Sequence, residues 1–224
     1  SVYLWNYWRK ATVDYLEVAT AVNEHRDITL PDGTRLTLNA CSRVRYPEQF
    51  LAETREVELE GEGFFSVTHD AAYPFVVKTS RMDVRVLGTR FNVKSYSTDE
   101  IIAVEVEEGQ VQVDLPEAMM RLKANEQMVC NTSSDVFNKQ RMEHEAATWR
   151  KGFLYFDRTP MSDVVKTLER LYGCRIRLAP DQTFDNLISG EHDNPNLESV
   201  LQSIEFTSGI HYRKEGNDIL LYKD

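Results

Sequence analysis

The chain has 224 residues, 42% of them hydrophobic and 28% charged, with a formal net charge of −10. That length builds one large or two small domains around a core without help from metals or disulfides, and the composition excludes a disordered tail. Acidic residues outnumber basic ones by 36 to 26, and both halves of the chain share the sign, which argues against nucleic acid and anionic membrane surfaces as partners.

The opening Val2-Tyr3-Leu4-Trp5-Asn6-Tyr7-Trp8-Arg9-Lys10 is dense in aromatics. This composition suits a segment bordering a bilayer, where Trp and Tyr prefer the interface, and equally one that packs on the following domain. No stretch is apolar for long enough to span a bilayer, and no basic-then-apolar leader precedes the fold.

From about Tyr15 to Val129 the chain reads as short strands divided by turn residues at Asp32-Gly33, Gly61, Gly63, Asp70, Gly88, Asp99, Gly109 and Pro116. No convincing amphipathic helix interrupts them. Leu30-Pro31-Asp32-Gly33-Thr34-Arg35-Leu36-Thr37-Leu38-Asn39 sets a Pro-Asp-Gly turn before alternating apolar residues. Leu59-Glu60-Gly61-Glu62-Gly63-Phe64-Phe65 and Pro74-Phe75-Val76-Val77 follow. In Val86-Leu87-Gly88-Thr89-Arg90-Phe91-Asn92-Val93, Gly88 supplies backbone freedom for a corner between two strands. Val106-Glu107-Glu108-Gly109-Gln110-Val111 repeats the device. Strands this short and numerous suit a sandwich, a jelly roll or a β-solenoid.

In their order and spacing these blocks resemble the periplasmic part of FecR-family transmembrane anti-sigma regulators, most closely members paired with outer-membrane nutrient importers in gut-type Bacteroidetes. The resemblance rests on Pro31, Asp32, Gly33, Asn39, Gly61, Gly88, Thr89, Phe91, Asn92, Val93 and Gly109. These are turn, corner and core residue types, so they report a fold and a role and supply no reaction centre. The resemblance favours a solenoid-like stack over a sandwich. It also implies a single inner-membrane helix upstream of this chain, a cytoplasmic region that holds an extracytoplasmic-function sigma factor, and a periplasmic location for the part read here.

Polar turn composition at Asn131–Lys139 leads into a new pattern, with a boundary near Ala147. Beyond it Phe153-Leu154-Tyr155-Phe156 reads as a strand, and Thr159-Pro160 as an N-cap followed by proline at the first helical position. Met161, Val164, Val165, Leu168, Leu171 and Tyr172 recur at helical spacing, Gly173 stops the helix, and Cys174, Ile176 and Leu178 alternate as a returning strand. The theme repeats with Leu187-Ile188, a start at Asn194-Pro195, a stripe of Leu197, Val200, Leu201 and Ile204, a stop at Gly209 and a strand from Ile210 to Arg213. A turn at Glu215-Gly216-Asn217-Asp218 feeds Ile219-Leu220-Leu221-Tyr222. Two strand-helix-strand units plus one strand resemble the short N-terminal domain of secretins and TonB-dependent transporters. The expected organisation is a juxtamembrane segment with the first strand over 1–26, a mostly β domain over 27–146, and a small α+β module over 147–224.

Constellations for catalysis are missing. His25, His69, His144, His192 and His211 have no metal-ligand spacing, and Cys41, Cys130 and Cys174 are scattered, which leaves open whether any two pair. Glu53, Glu56, Glu58, Glu60 and Glu62 alternate along a strand as one solvated face. Arg81, Arg85 and Arg90 read as solvated strand residues in the same way. The expectation is a protein without catalytic residues, metal or cofactor that works by binding another protein. The resemblance names the N-terminal signalling domain of a TonB-dependent transporter as that partner. Strand addition at an edge of the module makes Phe153, Tyr155, Ile219, Leu221 and Tyr222 the candidate contacts. The alternative reading is a periplasmic carbohydrate-binding module that stacks sugars on Tyr46, Phe50, Tyr73 or Tyr96.

Overall fold

A computed structural model describes residues 14–193 and 196–224. The aromatic opening and Asn194-Pro195 lie outside the described residues. The first part contains β1 (Tyr15–Ala19), β2 (Arg26–Thr29), β3 (Arg35–Leu38), β4 (Arg43–Pro47), β5 (Arg55–Ser66), β6 (Phe75–Lys78), β7 (Asp83–Val86), β8 (Arg90–Ser95), β9 (Ile101–Glu108), β10 (Gln110–Leu115), β11 (Ala118–Lys123), β12 (Glu126–Asn131) and β13 (Val136–Arg141). All belong to one continuous sheet that folds onto itself.

The fold hinges on β5, whose 12 residues serve two layers. Its first half pairs with β4 and, in parallel, with β6, while its second half pairs with β3 and β8. One layer therefore runs β1-β4-β5-β6-β7-β10-β11 and the other β2-β3-β5-β8-β9-β12-β13. Gly61 sits where β5 passes between layers, at φ +105, and a Cβ there would lie 2.3 Å from the Ser42 hydroxyl oxygen. Both the conformation and the contact demand glycine. Of the two arrangements expected, the strands take the sandwich. Among the described residues every pairing but β5–β6 in this domain is antiparallel, which comes from chain reversals between neighbouring strands and not from the parallel stacking of solenoid coils.

Alternation along the strands fills the space between the layers. In β5 Val57, Leu59 and Phe65 point inward, while Glu56, Glu58 and Glu60 face solvent opposite Lys78, Arg45 and Arg43. The Phe65 ring stacks on Phe91 of its own layer at 5.3 Å and tilts against Phe75 of the other at 6.1 Å. Each such fully buried ring contributes about 1.5–3 kcal/mol of transfer free energy. The three arginines read as solvated strand residues are each paired, Arg81 with Asp135, Arg85 with Asp114 and Arg90 with Glu107, and Arg81 lies in the turn before β7.

After a short 3-10 turn (Thr148–Lys151) the module contains β14 (Phe153–Pro160), α1 (Met161–Tyr172), β15 (Arg175–Leu178), β16 (Leu187–Asp193), α2 (Leu197–Ser208), β17 (His211–Glu215) and β18 (Asp218–Tyr222). It has its own core, in which Met161, Val164, Val165 and Leu168 of α1 meet Val200, Leu201 and Ile204 of α2. Gly173 and Gly209 close the helices in left-handed conformations, with N–H groups donating to Glu169 and Glu205 carbonyls.

Three details differ from the sequence expectation. Thr159 and Pro160 continue β14, opposite Ile188 and Leu187, and Pro160 occupies the cap position with no side chain to accept a hydrogen bond. The second helix is capped by Asn196, whose Oδ1 accepts from the Ser199 N–H at 2.9 Å. The strands of each strand-helix-strand unit do not pair with one another. Their opening strands β14 and β16 pair together, and their closing strands β15 and β17 flank β18.

A polar seam between the two domains as the candidate functional site

The motif residues divide into those that shape corners and those that reach the boundary between the domains. Pro31, Asp32 and Gly33 form the turn before β3, where the Asp32 carboxylate accepts from the Thr34 N–H and from buried Arg55 at 2.7 Å. Gly88 turns the chain from β7 in one layer to β8 in the other. A Cβ on it would come within 2.6 Å of the His69 Cα, so the corner closes only around glycine. Thr89 fastens this corner by donating to the Gln110 carbonyl at 2.9 Å, next to Gly109 at φ +90. Phe91 and Val93 point into the core.

Asn39 and Asn92 do something else. Asn92 is only 2% exposed, and its amide nitrogen donates to Glu62 at 2.9 Å and to Glu105 at 3.3 Å. Asn39 donates to the second oxygen of Glu62 at 2.8 Å. Glu62 thus departs from the solvated face formed by Glu56, Glu58 and Glu60 and turns toward the module. Glu105 in turn accepts from the backbone N–H of Ala147 at 2.9 Å and so ties the interdomain connection to β9. Burial pushes the Glu105 carboxyl above the ordinary carboxylate range, and the Ala147 N–H opposes that shift in part.

These groups border a cavity of about 270 Å³ lined from both domains, by Glu62, Lys94, Glu105 and His144 on one side and Trp149 and Tyr155 on the other. His144 lies against the Tyr155 ring, Trp149 meets His25 edge-on at 5.3 Å, and Arg150 covers Phe64 at 3.8 Å. The connection between the domains is packed along the sandwich through these rings.

Further along, the polar side of α1 clasps the β8–β9 loop. Asp163, with no side-chain exposure, accepts from the N–H groups of Glu100 at 2.9 Å and Ile101 at 2.8 Å. Arg170 makes a bidentate pair with buried Asp99, both bonds 2.8 Å, and its guanidinium lies 3.8 Å from the centre of the Tyr96 ring. Burial alone would lower the Arg170 pKa, but the Asp99 carboxylate, with Tyr96 and Glu62, more than offsets this and raises it. Lys166 donates to the Thr98 carbonyl, Ser162 donates to Glu100 at 2.6 Å, and the Asn23 N–H donates to the Arg170 carbonyl at 2.9 Å. Burial also raises the Tyr96 pKa, and its hydroxyl donates to the Ala40 carbonyl at 2.7 Å. The carboxylates of Asp99, Glu105 and Asp163 face donors across the seam, so this arrangement holds two bodies in register.

The sequence reading of α1 found its apolar stripe and missed the polar one. Asp163, Lys166 and Arg170 stand at i, i+3 and i+7 and are readable as one helix face. Nothing in the sequence pairs that face with Asp99, which appears there only as a turn residue.

The predicted contact residues are placed differently from one another. Phe153 and Tyr155 are half-buried on β14 and border the interdomain cavity. Ile219 and Leu221 lie in the module core, and Tyr222 is half-buried with its ring 5.6 Å from His211. Their strand β18 is bonded on both sides, by β15 and β17, so it presents no edge for an added strand. Among the described residues the module's strands with an open edge are β14 and β16 of the two-stranded sheet and β15 and β17 of the three-stranded one. Of the aromatics suggested as sugar platforms, Tyr46 and Tyr96 are buried and Phe50 packs edge-on against Phe75, which leaves Tyr73 alone at the surface. The cysteines are free: Cys41 exposed, Cys130 buried and Cys174 in between. Among the described residues no group of three or more His, Cys, Asp and Glu side chains is arranged to hold a metal ion, and no helix is long and apolar enough to cross a membrane.

Comparison with known proteins accounts for both domains. The model of the family described as FecR protein matches residues 17–112, and that of FecR, C-terminal, matches residues 153–221. No curated protein matches the chain. Two crystal structures, at 2.50 Å and 1.65 Å, of a "putative anti-sigma factor" from Parabacteroides distasonis ATCC 8503 are each 47% identical to it. The first superimposes with a TM-score of 0.90 over 94% of this chain and 99% of that one, the second with 0.89 over 93% and 99%. With both family regions present and 47% identity over nearly its whole length, the chain belongs to the FecR family of anti-sigma factors.

Proposed function

We propose that this chain is the periplasmic sensor part of a membrane-anchored anti-sigma factor. It receives a signal from the N-terminal signalling domain of an outer-membrane TonB-dependent transporter and controls an extracytoplasmic-function sigma factor held by a cytoplasmic region. The observation that carries the reading is the 47% identity, across both domains, to a structure described as a putative anti-sigma factor. The geometry agrees with a receiver that acts by binding. The buried carboxylates are committed to contacts within the fold, while four module strands among the described residues keep an unpaired edge.

The transporter domain can send a signal only by binding one arrangement of this chain more tightly than another. Strand addition at one of the open edges, β14, β15, β16 or β17, supplies main-chain affinity, and neighbouring side chains supply selectivity. Phe153 and Tyr155 are well placed for this, since β14 joins the module edge to the seam.

A sigma-dependent reporter in cells tests the proposal. Removing residues 148–224 from the full-length protein should abolish the transcriptional response to the transporter's loaded substrate. An unchanged response would remove the module, and with it this reading, from signal reception.

A further inference from the structure

We propose that the seam is a latch that opens while both cores stay folded, and that the face of α1 it uncovers docks a partner presenting an acidic side chain beside the free N–H groups at a strand's start. The existence of a partner rests on the proposed function; the latch itself does not.

Three observations carry the latch. The apolar cores are separate, one confined to Leu30–Cys130 and the other to Leu154–Leu221, so parting the domains leaves each core intact. Beside a few ring contacts, the domains are joined by hydrogen bonds and an ion pair, which water can replace, and this is the character of interdomain contacts that move. The connection also contains a built-in bend. Ala147 is held at φ +52, a conformation that disfavours any residue with a Cβ, and Gly152 follows at φ +81. The N–H of Ala147 is the one that Glu105 accepts. Opening the seam removes that bond and lets Ala147 relax, so the connection is set for two positions.

The partner chemistry is read from what now occupies the face. Asp163 takes two successive N–H groups at the start of β9, Arg170 takes a carboxylate with both of its terminal nitrogens, and Lys166 takes a loop carbonyl. A segment with the same order, an acidic residue followed by the unpaired start of a strand, satisfies all three. The chain's own β8–β9 loop is in this sense a resident competitor. Because it is tethered, a partner must exceed its effective concentration, on the order of millimolar for a short connection.

Four amides have their acceptors across the seam: Asn23, Glu100, Ile101 and Ala147. Hydrogen exchange of the whole chain, resolved by residue, should show them exchanging together and at least about tenfold faster than the amides of Phe65 and Leu168 in the two cores. Arg170→Ala should accelerate these four by on the order of 100-fold, because Asp99 loses its buried partner, with the core amides still slower than all four. Exchange of the four at the core rate, in the unaltered chain or in the variant, would overturn the latch.

For the partner chemistry the probe is a labelled peptide of residues 96–104, added to the whole chain carrying Asp99→Asn, which weakens the resident contact. Saturable binding should fall by at least about tenfold when the peptide's own Asp99 is replaced by Asn. Equal binding of both peptides, or none of either, would overturn it. Failure here with normal binding of a transporter domain would leave the proposed function standing and the docking role of the α1 face refuted.

Discussion

The sandwich and the module meet the same requirement on different scales. Among the described residues the sandwich joins 24 buried apolar residues into one cluster, with β5 shared by both layers so that neither can leave without the other. The module has 14, spread over two helices, a two-stranded sheet and a three-stranded sheet. A domain of that size buries a smaller fraction of its surface and is correspondingly marginal alone. Buried charge is also used differently. In the sandwich Arg55 and Asp32 brace a turn within the domain, whereas Asp99, Asp163 and Arg170 are spent between domains. The contrast teaches that rigidity is concentrated in the sandwich and that the energetics of the contact between bodies are concentrated in a few charged side chains.

The largest effect should come from the sandwich core. Phe65→Ala removes a ring that bridges both layers and should lower unfolding free energy by about 3–5 kcal/mol, measured by denaturant titration. A loss below 1 kcal/mol would mean that the layers are less interdependent than the shared strand implies. Next comes the seam. Arg170→Ala leaves the Asp99 carboxylate buried without its bidentate partner and should cost about 3 kcal/mol in the same titration. Adding Asp99→Asn should recover part of that loss, since the uncompensated charge is gone.

Glu105→Gln sharpens the comparison in the opposite direction. Burial raises the Glu105 pKa above its ordinary 4.5, so at neutral pH the charged form subtracts from stability, and the subtraction fades as pH falls through the raised value toward 4.5. Glutamine keeps an acceptor for Ala147 without the charge. The variant should be at least as stable as the parent at pH 7, and the difference should shrink on acidification. A clearly less stable variant at pH 7 would show that the charge itself binds the seam, through Lys94 or His144.

The smallest effect belongs to the module's end. The His211 pKa is raised from 6.5, first by its hydrogen bond to Glu205 and then by Asp224. A raised histidine stabilises fully below its unfolded value and loses that contribution as pH rises through the folded one. Its ring resonances should therefore titrate above 6.5, and Glu205→Gln should bring them back toward it.

Much of the sandwich was legible because its signals are local. Alternation at Val57, Leu59 and Phe65 and glycine at 61, 88 and 109 mark strands and corners before any contact is known. The pairing of strands was not legible. A solenoid and a sandwich place the same alternation in each strand and differ only in which strands lie side by side. The helices of the module were visible from stripe and stop residues, yet β18 looked like an edge because its neighbour β15 joins it in parallel from 40 or so residues upstream in the chain. The seam was hidden for the same reason. Asn92, Glu105 and Ala147, or Asp99 and Arg170, are far apart in sequence, and each alone reads as an ordinary polar residue.

The central claim is that this chain works as a receiver of another protein. Calorimetric titration of the isolated N-terminal signalling domain of the TonB-dependent transporter proposed as its partner into this chain tests it most directly. The account predicts saturable binding with one domain per chain; heat indistinguishable from dilution at concentrations up to about a millimolar, where an interaction of about 4 kcal/mol would be seen, would contradict it.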